Sequence, residues 1–388
     1  MIGFLRKFDW FLFLPMIALV ALGTTAIWSA GNARAEVFFH QMWISNLVTA
    51  GLGLVLYFIL AAVDCRKVLL FLSVPAYGLA VLLLALVLVV GSEQFGGRRW
   101  LWFFQPSEIS KLCVLALLAF LFGDARSPIA RFRSSFLGFL LAGAVIGVPA
   151  LLILAEPDLG TALTLVPAAL VMVFVAGTWR RGLTASVLVA GMAALLLLGA
   201  VYEAEKPGVP AERRDRILRF VPLRPHQVRR VRVFLFPEED VTGAGYNLRQ
   251  AQISIGSGGL VGKGLGKGES NHLKYLPQAI SMNDFIFCVY AEETGFVGSV
   301  VLLTLFGVLL LSGCRIAFRT DDGSGRLLAL GFSTLVFAHV YVNIAMSIGI
   351  VPITGLPLPF ISSGRTFLIG VLCGLGLIQS VNVHREES

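Results

Sequence analysis

The stretch VLLFLSVPAYGLAVLLLALVLVV, residues 68–90, runs for 23 positions without a charged side chain. A helix of this length is about 34 Å long, because an α-helix rises about 1.5 Å per residue. The hydrocarbon core of a bilayer is about 30 Å thick. The stretch is therefore predicted to be a helix that crosses a membrane.

The rest of the chain has the same character. Of its 388 residues, 57% are hydrophobic and only 14% are charged, whereas soluble domains carry about a quarter charged residues. Apolar runs of about 17–25 residues begin near positions 10, 44, 68, 109, 135, 161, 183, 285, 327 and 365. We therefore predict an all-α polytopic membrane protein with ten transmembrane helices, which form a single domain over residues 1–388.

The N-terminus also resembles a secretion signal. Arg6 and Lys7 precede an apolar stretch, and ARAE at 33–36 is a candidate cleavage site. The apolar stretch from Trp10 to Trp28 is longer than the apolar region of a usual signal, and another apolar segment follows soon after it. We interpret it as a retained first transmembrane helix.

The short loops carry their basic residues asymmetrically, and cytoplasmic loops are the ones enriched in Lys and Arg. The four basic residues on one side are Arg34, Arg98, Arg99 and Arg365. The thirteen on the side of the N-terminus are Arg6, Lys7, Arg66, Lys67, Arg126, Arg131, Arg133, Arg180, Arg181, Arg315, Arg319, Arg326 and Arg385. Both termini are thus predicted to be cytoplasmic, with residues 203–283 forming a long outer loop between helices 7 and 8.

Composition also restricts the partners. The net charge of +8 is spread over loops, without a compact basic domain, which favours phospholipid or a lipid-linked phosphate over nucleic acid. The five cysteines lie in or beside apolar runs, so neither a disulfide framework nor a Cys-based metal site is expected. The five histidines are scattered, which argues against a zinc site.

The predicted outer loop contains two unusual kinds of sequence. ERRDRILRF (212–220) and VRRVRVFLF (228–236) interleave basic and apolar residues, as in an element that lies on lipid headgroups or in a cationic rim that attracts a pyrophosphate. GSGGLVGKGLGKG (256–268) has seven glycines but matches neither a Walker A loop nor GxGxxG. It predicts a tightly turning backbone whose N–H groups and two lysines lie near an anion.

Polar motifs recur at the predicted outer ends of the helices. Glu108 and Lys111 are three residues apart and share a helix face, as a salt bridge or as substrate contacts. Asp158 precedes the sixth helix, where an N-cap is the plain interpretation. PITGLPLPFISSGR (352–365) has three prolines and predicts an irregular, partly re-entrant segment buried in protein.

The stretch SMNDFIFCVYAEETGFVGS (281–299) places Asp284 directly before an apolar run, with Glu292 and Glu293 inside it. Ionisable residues at such depth are costly and are usually paired or functional. We expect one of the two glutamates to face the interior and to pair with a cation such as Lys111. Asp284 is either the N-cap of the eighth helix or a functional carboxylate at the mouth of a cavity.

Five stretches, taken in order, resemble the shape, elongation, division and sporulation (SEDS) family of cell-wall polymerases, the RodA/FtsW proteins. They are QPSEISKL (105–112), EPDLGTAL (156–163), GAGYNLRQAQISIGSGGLVGKGLGKG (243–268), YLPQAISMNDFIFCVYAEETGFVG (275–298) and VNIAMSIGIVPITGLPLPFISSG (342–364). The run 340–360 and the ending VHREES, without a long tail, are closer to RodA than to FtsW. The sequence departs from the family pattern at Met282-Asn283, where His-Thr is usual, and at Ser363-Gly364-Arg365-Thr366, where a Tyr-Gly-Gly-Ser-like run is usual.

The resemblance implies a peptidoglycan glycosyltransferase of the bacterial cytoplasmic membrane that serves cell elongation. It would join the disaccharides of lipid II into β-1,4 strands, release undecaprenyl pyrophosphate and work with a class B penicillin-binding protein. The same helices would also suit a lipid II flippase, but a flippase needs charged groups along a path from the inner face. A non-catalytic scaffold leaves Asp284 unexplained.

An α-linked sugar pyrophosphate gives a β-linkage by a single inverting displacement, in which a carboxylate takes the proton of the acceptor hydroxyl. The family's catalytic aspartate falls at Asp284, so we expect Asp284 to be the general base. Positive charge for the leaving pyrophosphate would come from Arg or Lys, or from a divalent cation such as Mg²⁺. The candidate substrate-binding residues are Glu108, Lys111, Asp158, Arg249, Lys263, Lys274, Ser362 and Arg365.

Overall fold

The structure is a computed structural model that describes residues 6–32, 41–94, 97–101, 104–156, 158–240, 243–269 and 281–385. The helices are α1 (Trp10–Asn32), α2 (Met42–Ala62), α3 (Cys65–Val90), α4 (Pro106–Gly123), α5 (Phe136–Ala155), α6 (Leu159–Val175), α7 (Arg180–Glu205), α8 (Ala211–Leu218), α9 (Pro225–Leu235), α10 (Ala244–Ser257), α11 (Ile286–Arg319), α12 (Gly323–Ser347) and α13 (Arg365–Val383). Two short strands, β1 (Ser92–Gln94) and β2 (Gly97–Trp100), pair antiparallel between α3 and α4.

The helical membrane fold predicted from the sequence is confirmed. Ten long helices begin within four residues of the predicted positions. Within the described residues, nine of them are long and apolar enough to cross a membrane, and α6 is a shorter apolar helix. Two of the larger offsets arise because a capped polar turn precedes the apolar run. Asp64 accepts a hydrogen bond from the Arg66 N–H at 3.0 Å, and Asp322 accepts one from the Gly325 N–H at 2.7 Å.

The segment between α7 and α11 contains helices that the apolar runs did not predict. α8 and α9 pack on the end of α7, where Val221 and Val228 form a small apolar cluster with Val201. The buried carboxylate of Glu205 pairs with Arg214 at 2.8 Å and with Arg232 at 3.3 Å. The interleaved basic and apolar segments are therefore held by protein contacts rather than by lipid headgroups alone.

The glycine-rich segment wraps around a kink in α11 at Gly295. The N–H of Lys263 donates to the carbonyl of Glu292, and the N–H of Gly264 donates to that of Glu293, both at 3.0 Å. At Gly262, which has φ +80°, a Cβ would lie 2.1 Å from the carbonyl oxygen of Glu293. Only glycine allows this close approach. The backbone of this segment turns tightly, as the sequence predicts.

Residues 351–364 are the irregular, non-helical main part of the connection between α12 and α13. Leu356, Leu358 and Phe360 in this segment are buried. The segment passes so close to α1 that a Cβ on Gly23 would lie 2.0 Å from the carbonyl oxygen of Phe360. Such irregular backbone is tolerated in a membrane protein where protein surrounds it, and here it forms one wall of the site described next.

Candidate active site

Asp284 lies in the short irregular stretch before α11. The N-cap position of α11 is Phe285, and it makes no side-chain capping bond. Within the described residues, no hydrogen bond or ion pair reaches the Asp284 carboxylate. The N-cap interpretation of Asp284 is therefore wrong. The backbone is nonetheless fixed, because Asn343 Nδ2 donates to the Asp284 carbonyl at 2.9 Å and to the Leu356 carbonyl at 2.7 Å.

The residue before Asp284 is held by the irregular segment 351–364. Ser362 is buried, and its Oγ donates to the Asn283 carbonyl at 2.7 Å and accepts from the Leu358 N–H at 2.8 Å. Ser363 Oγ donates to Asn283 Oδ1 at 2.5 Å. The structure thus makes Ser362 a residue that positions the Asp284 loop. Asn283 and Ser363 belong to the two stretches that depart from the family pattern, and here they contact each other.

Arg230, on α9, reaches the same place. Its Nη1 donates to the Thr354 carbonyl at 2.8 Å. A Cβ on Gly355 would lie 3.4 Å from Asp284 Oδ2 and 3.9 Å from Arg230 Nη2. The carboxylate and the guanidinium therefore both lie against Gly355, whose φ of +77° is a conformation that suits glycine. We call the cluster formed by Asp284, Arg230 and Gly355 the mouth.

A second acid and a second arginine lie at the mouth. Asp158 caps α6 by accepting from the Thr161 N–H at 3.2 Å, as predicted, and also accepts from Gln105 Nε2 at 3.0 Å. Arg99 Nη1 lies 3.9 Å from Asp158 Oδ1. Arg99, Arg230 and Asp158 all act electrostatically on Asp284.

The electrostatics of the mouth suit a proton acceptor. Burial raises the pKa of Asp284 to about 6, Arg230 and Arg99 oppose that rise, and Asp158 adds to it. Burial also lowers the pKa of Arg230, although an arginine remains charged under any ordinary condition. A carboxylate with a pKa of about 6 is ionised at neutral pH and is a stronger base than an ordinary aspartate.

Glu156, which the sequence analysis did not select, is a second unusual acid at this end. Its side chain is buried, and neither oxygen has a hydrogen-bond partner in the described part of the chain. Burial, together with nearby Asp158, raises the pKa of Glu156 to about 8. Arg99 Nε donates to the Glu156 backbone carbonyl at 3.4 Å. A carboxyl without partners in a buried position is held neutral.

Glu108 and Lys111 form an internal ion pair. Lys111 Nζ lies 2.8 Å from Glu108 Oε2 and 2.9 Å from His339 Nε2, and the Lys111 side chain is only 2% exposed. Because the ammonium donates to Nε2, the ring proton of His339 is on Nδ1, which faces the Pro357 carbonyl at 3.4 Å. The salt-bridge interpretation of Glu108 and Lys111 therefore holds in the structure.

The expected partner of the deep glutamates was wrong. Glu292 pairs with Lys263 at 2.8 Å, and its oxygens also accept from Ser254 Oγ at 2.8 Å and from the Glu269 N–H at 2.9 Å. Glu293 accepts from Ser29 Oγ of α1. The anion near the glycine-rich segment is therefore the carboxylate of Glu292, which forms an ion pair with the ammonium group of Lys263.

The remaining candidates are not gathered at the mouth. Arg249 is half-buried on α10. Arg365 is the first residue of α13, is exposed, and has no carboxylate partner within the described ranges. It lines a cavity of about 340 Å³ with Asn46 and Ser363. Lys274 lies outside the described residues.

Comparison with known proteins decides the family. The model of the FtsW/RodA/SpoVE cell cycle proteins matches residues 9–387. The chain belongs to this family. Peptidoglycan glycosyltransferase MrdB of Escherichia coli K12 is 35% identical to it over 379 residues, 96% of this chain and 93% of the relative. Stage V sporulation protein E of Bacillus subtilis 168 is 32% identical over 384 residues, 96% of each chain.

Solved structures of the family agree. The rod shape determining protein RodA of Thermus thermophilus superposes with a TM-score of 0.66 at 31% identity, covering 98% of each chain. A chain of a peptidoglycan synthase complex that coordinates polymerization and crosslinking superposes with a TM-score of 0.71 at 34% identity, covering 97% of each. Like these family members, the chain is a multi-pass membrane protein.

Proposed function

We propose that the protein is a peptidoglycan glycosyltransferase that polymerises lipid II for cell elongation, with Asp284 as its general base. The observation that carries the proposal is the environment of the Asp284 carboxylate. This carboxylate is half-buried at the mouth, faces arginine charge and has no hydrogen-bond partner among the described residues. The names of the family relatives, MrdB and RodA, support the activity and the elongation role.

The reaction is a single displacement. The acceptor's 4-hydroxyl oxygen bonds to the anomeric carbon of the donor sugar as the bond from that carbon to the pyrophosphate oxygen breaks. Asp284 takes the hydroxyl proton, and the electron pair of the broken bond leaves on undecaprenyl pyrophosphate. Arg230 and Arg99 supply the positive charge that this leaving group needs, since fixed cations at a site of developing charge lower the barrier.

The described residues do not form a protein-held metal site, because no three of their His, Cys, Asp or Glu side chains cluster as metal ligands. Magnesium at a phosphate site is usually held by one or two carboxylates and by the phosphates themselves. We therefore assign no step to a resident metal ion. A Mg²⁺ ion at this site would be held jointly by such a carboxylate and the pyrophosphate of the substrate. Loss of polymerisation in EDTA that added Mg²⁺ restores would show that the reaction requires the ion.

The mouth would face the outside of the cytoplasmic membrane, with both termini inside. The basic short loops that predict this orientation lie at the other end, where Arg66 Nη2 donates to the His384 carbonyl at 3.2 Å. A cysteine introduced at exposed Pro210 should react with a membrane-impermeant maleimide on intact cells, and one introduced at exposed Arg133 should react only after lysis. Reaction at Arg133→Cys but not at Pro210→Cys on intact cells would reverse the orientation.

The partner would be a class B penicillin-binding protein, which crosslinks the strands that this enzyme makes. The superposition on a chain of a polymerizing and crosslinking synthase complex supports this assignment. Polymerisation by the purified chain should rise when the partner is added. Equal rates with and without a co-purified penicillin-binding protein would argue against a functional complex.

Asp284→Asn tests the base, because it keeps the size of the side chain but cannot accept the proton. With labelled lipid II and the partner present, we expect the variant to polymerise about 10² to 10⁴ times more slowly, the range that loss of a general base costs. Asp215→Asn, the same change at an exposed site on α8, is the matched control and should keep the wild-type rate. Near wild-type polymerisation by Asp284→Asn would end the base assignment, whereas a wild-type chain that does not polymerise lipid II would favour the flippase alternative.

A further inference from the structure

A cavity of about 480 Å³ lies at the proposed cytoplasmic end, between the end of α6 and the start of α7. The cavity lies at the start of α7, whereas α9, which carries Arg230, packs on the other end of α7. It is therefore far from the mouth. Its lining consists of small or hydroxyl-bearing residues, two arginines and one tryptophan: Ser134, Gly177, Thr178, Trp179, Arg180 and Arg181. None of these residues takes part in the site described above.

The two arginines of this cavity differ from others at the same end. Arg66 and Arg126 are paired with the aspartates Asp64 and Asp124, at 3.3 and 2.8 Å. Arg180 and Arg181 are exposed and have no carboxylate partner within the described residues. The sequence offers them none nearby, because residues 159–202 contain neither Asp nor Glu.

Two further features of the cavity favour an anion. Thr178 is fully buried, and its hydroxyl has no hydrogen-bond partner among the described residues, a state that costs free energy unless a ligand completes it. The N-cap residue of α7 is Trp179, which makes no capping bond, and the first turn has no acidic residue. The N–H groups and the positive end of the helix dipole are therefore free for an anion.

The surroundings of the cavity are those of a membrane boundary. Phe136 on α5 and Phe174 on α6 are exposed apolar side chains. Trp179 stacks edge-on against Phe136, with ring centroids 5.2 Å apart. A Cβ on Gly182 would lie 2.2 Å from the Trp179 ring, so the glycine allows the indole to lie flat on the start of α7. A charged headgroup in the cavity would thus have apolar protein surface beside its acyl chains.

We propose that this cavity binds the phosphate headgroup of an anionic phospholipid in the cytoplasmic leaflet. Arg180, Arg181 and the first N–H groups of α7 face the phosphate, and the Thr178 hydroxyl donates to one of its oxygens. The buried side chains of α7 lie at its two ends, including Leu183 near the start and Val201 near the finish. A lipid bound at the start therefore anchors the helix that leads to α9 and Arg230.

Native mass spectrometry of the full chain in detergent tests the site. The protein is titrated with phosphatidylglycerol or with phosphatidylcholine of the same acyl chains. The wild type should bind the first phosphatidylglycerol about tenfold more tightly, since basic residues at an anionic lipid surface give effects of this order. Arg180→Gln with Arg181→Gln should lose that preference. Thr178→Val should weaken it without changing charge.

The matched control is Arg131→Gln with Arg133→Gln, which removes the same charge from exposed residues of the neighbouring loop that do not line the cavity. It should keep the preference. If both double variants lost the preference for phosphatidylglycerol equally, the preference would come from general surface charge and the proposal would be overturned. Inorganic phosphate, compared with chloride at equal ionic strength, distinguishes the sources of the phosphate group. Displacement of phosphatidylglycerol by millimolar phosphate would mean that the cavity takes the free anion, and the lipid assignment would be wrong.

Discussion

Asp284 and Glu292 lie eight residues apart in one stretch of sequence, yet their carboxylates have opposite surroundings. Glu292 is buried and accepts hydrogen bonds from Lys263, Ser254 and the Glu269 N–H. The Asp284 carboxylate receives none from the described residues, although Arg230 lies against the same glycine. The difference teaches that a buried acid with all its partners present stabilises the fold. A half-buried acid that lacks hydrogen-bond partners but lies near arginine charge keeps its lone pairs for a substrate proton.

The Glu108–Lys111 pair is a second example of a buried acid that has its partner, inside the helix bundle. Lys111→Met should leave the buried Glu108 charge without its partner, and breaking a buried pair in this way typically costs about 3–5 kcal/mol. We expect a large loss of folded protein, measured as the melting temperature and the monodisperse fraction on size-exclusion chromatography. Adding Glu108→Gln should recover much of it. A single variant as stable as the wild type would contradict the structural role of the pair.

Arg230→Gln should leave the fold intact and slow polymerisation by about 10²-fold, close to the loss when one charge-stabilising donor is removed from an active site. The neighbouring Arg229, which pairs with Asp240 at the surface, is the matched control, and Arg229→Gln should have little effect. Because Arg230 lowers the pKa of Asp284, its removal should also move the acid limb of the rate profile to higher pH. An acid limb that stays at the wild-type pH in Arg230→Gln would mean that Arg230 does not lower the pKa of Asp284.

Gly355→Ala would put a methyl group against the Asp284 carboxylate, at a residue with φ +77°. The methyl group should displace the carboxylate or the substrate beside it, and we expect polymerisation to fall about tenfold, a barrier increase of about 1.4 kcal/mol. The left-handed conformation also costs a residue with a Cβ about 1–2 kcal/mol, a cost that the control shares. Gly208→Ala is the control, because Gly208 has φ +84° but nothing within 4 Å of an added Cβ. Equal losses in both variants would mean that backbone strain alone matters.

Glu156→Gln should have the smallest effect, a change in stability with pH. The folded-state pKa of Glu156 is raised from 4.5 to about 8, so the folded protein holds a proton that the unfolded chain has already lost. Stability therefore falls as pH rises from about 4.5 to about 8. The variant should melt a few degrees higher than the wild type at the alkaline end of this range and equally at the acid end. The opposite trend would mean that Glu156 is ionised.

The sequence predicted the helices and the family well, for a physical reason. A membrane-crossing helix needs a long apolar run, and that run is visible without any knowledge of packing. The comparisons confirm the family. The base assignment of Asp284 remains a prediction, since neither the fold nor the family match tests it.

The partners of buried charges could not be predicted in the same way. An apolar run sets the length of a helix but not its rotation about its own axis. The spacing of Glu108 and Lys111 predicted their pair, but the sequence did not show that Lys263, rather than Lys111, pairs with the deep Glu292. Arg230 was hidden among the other arginines of VRRVRVFLF, because only the docking of α9 on α7 turns that one towards Asp284. Glu156 was overlooked for a similar reason, since burial without partners leaves no sequence signal.

The central claim is that Asp284 accepts the acceptor's proton, and the pH profile of lipid II polymerisation tests it most directly. With the pKa of Asp284 raised to about 6, the wild-type rate should be half-maximal near that pH. Below it, the rate should fall about tenfold per pH unit, because only the ionised carboxylate is a base. Asp284→Asn should be slow at every pH and should lack this limb. A wild-type rate that stays constant from about pH 5 to about pH 8, or an Asn variant with the same limb, would contradict the account.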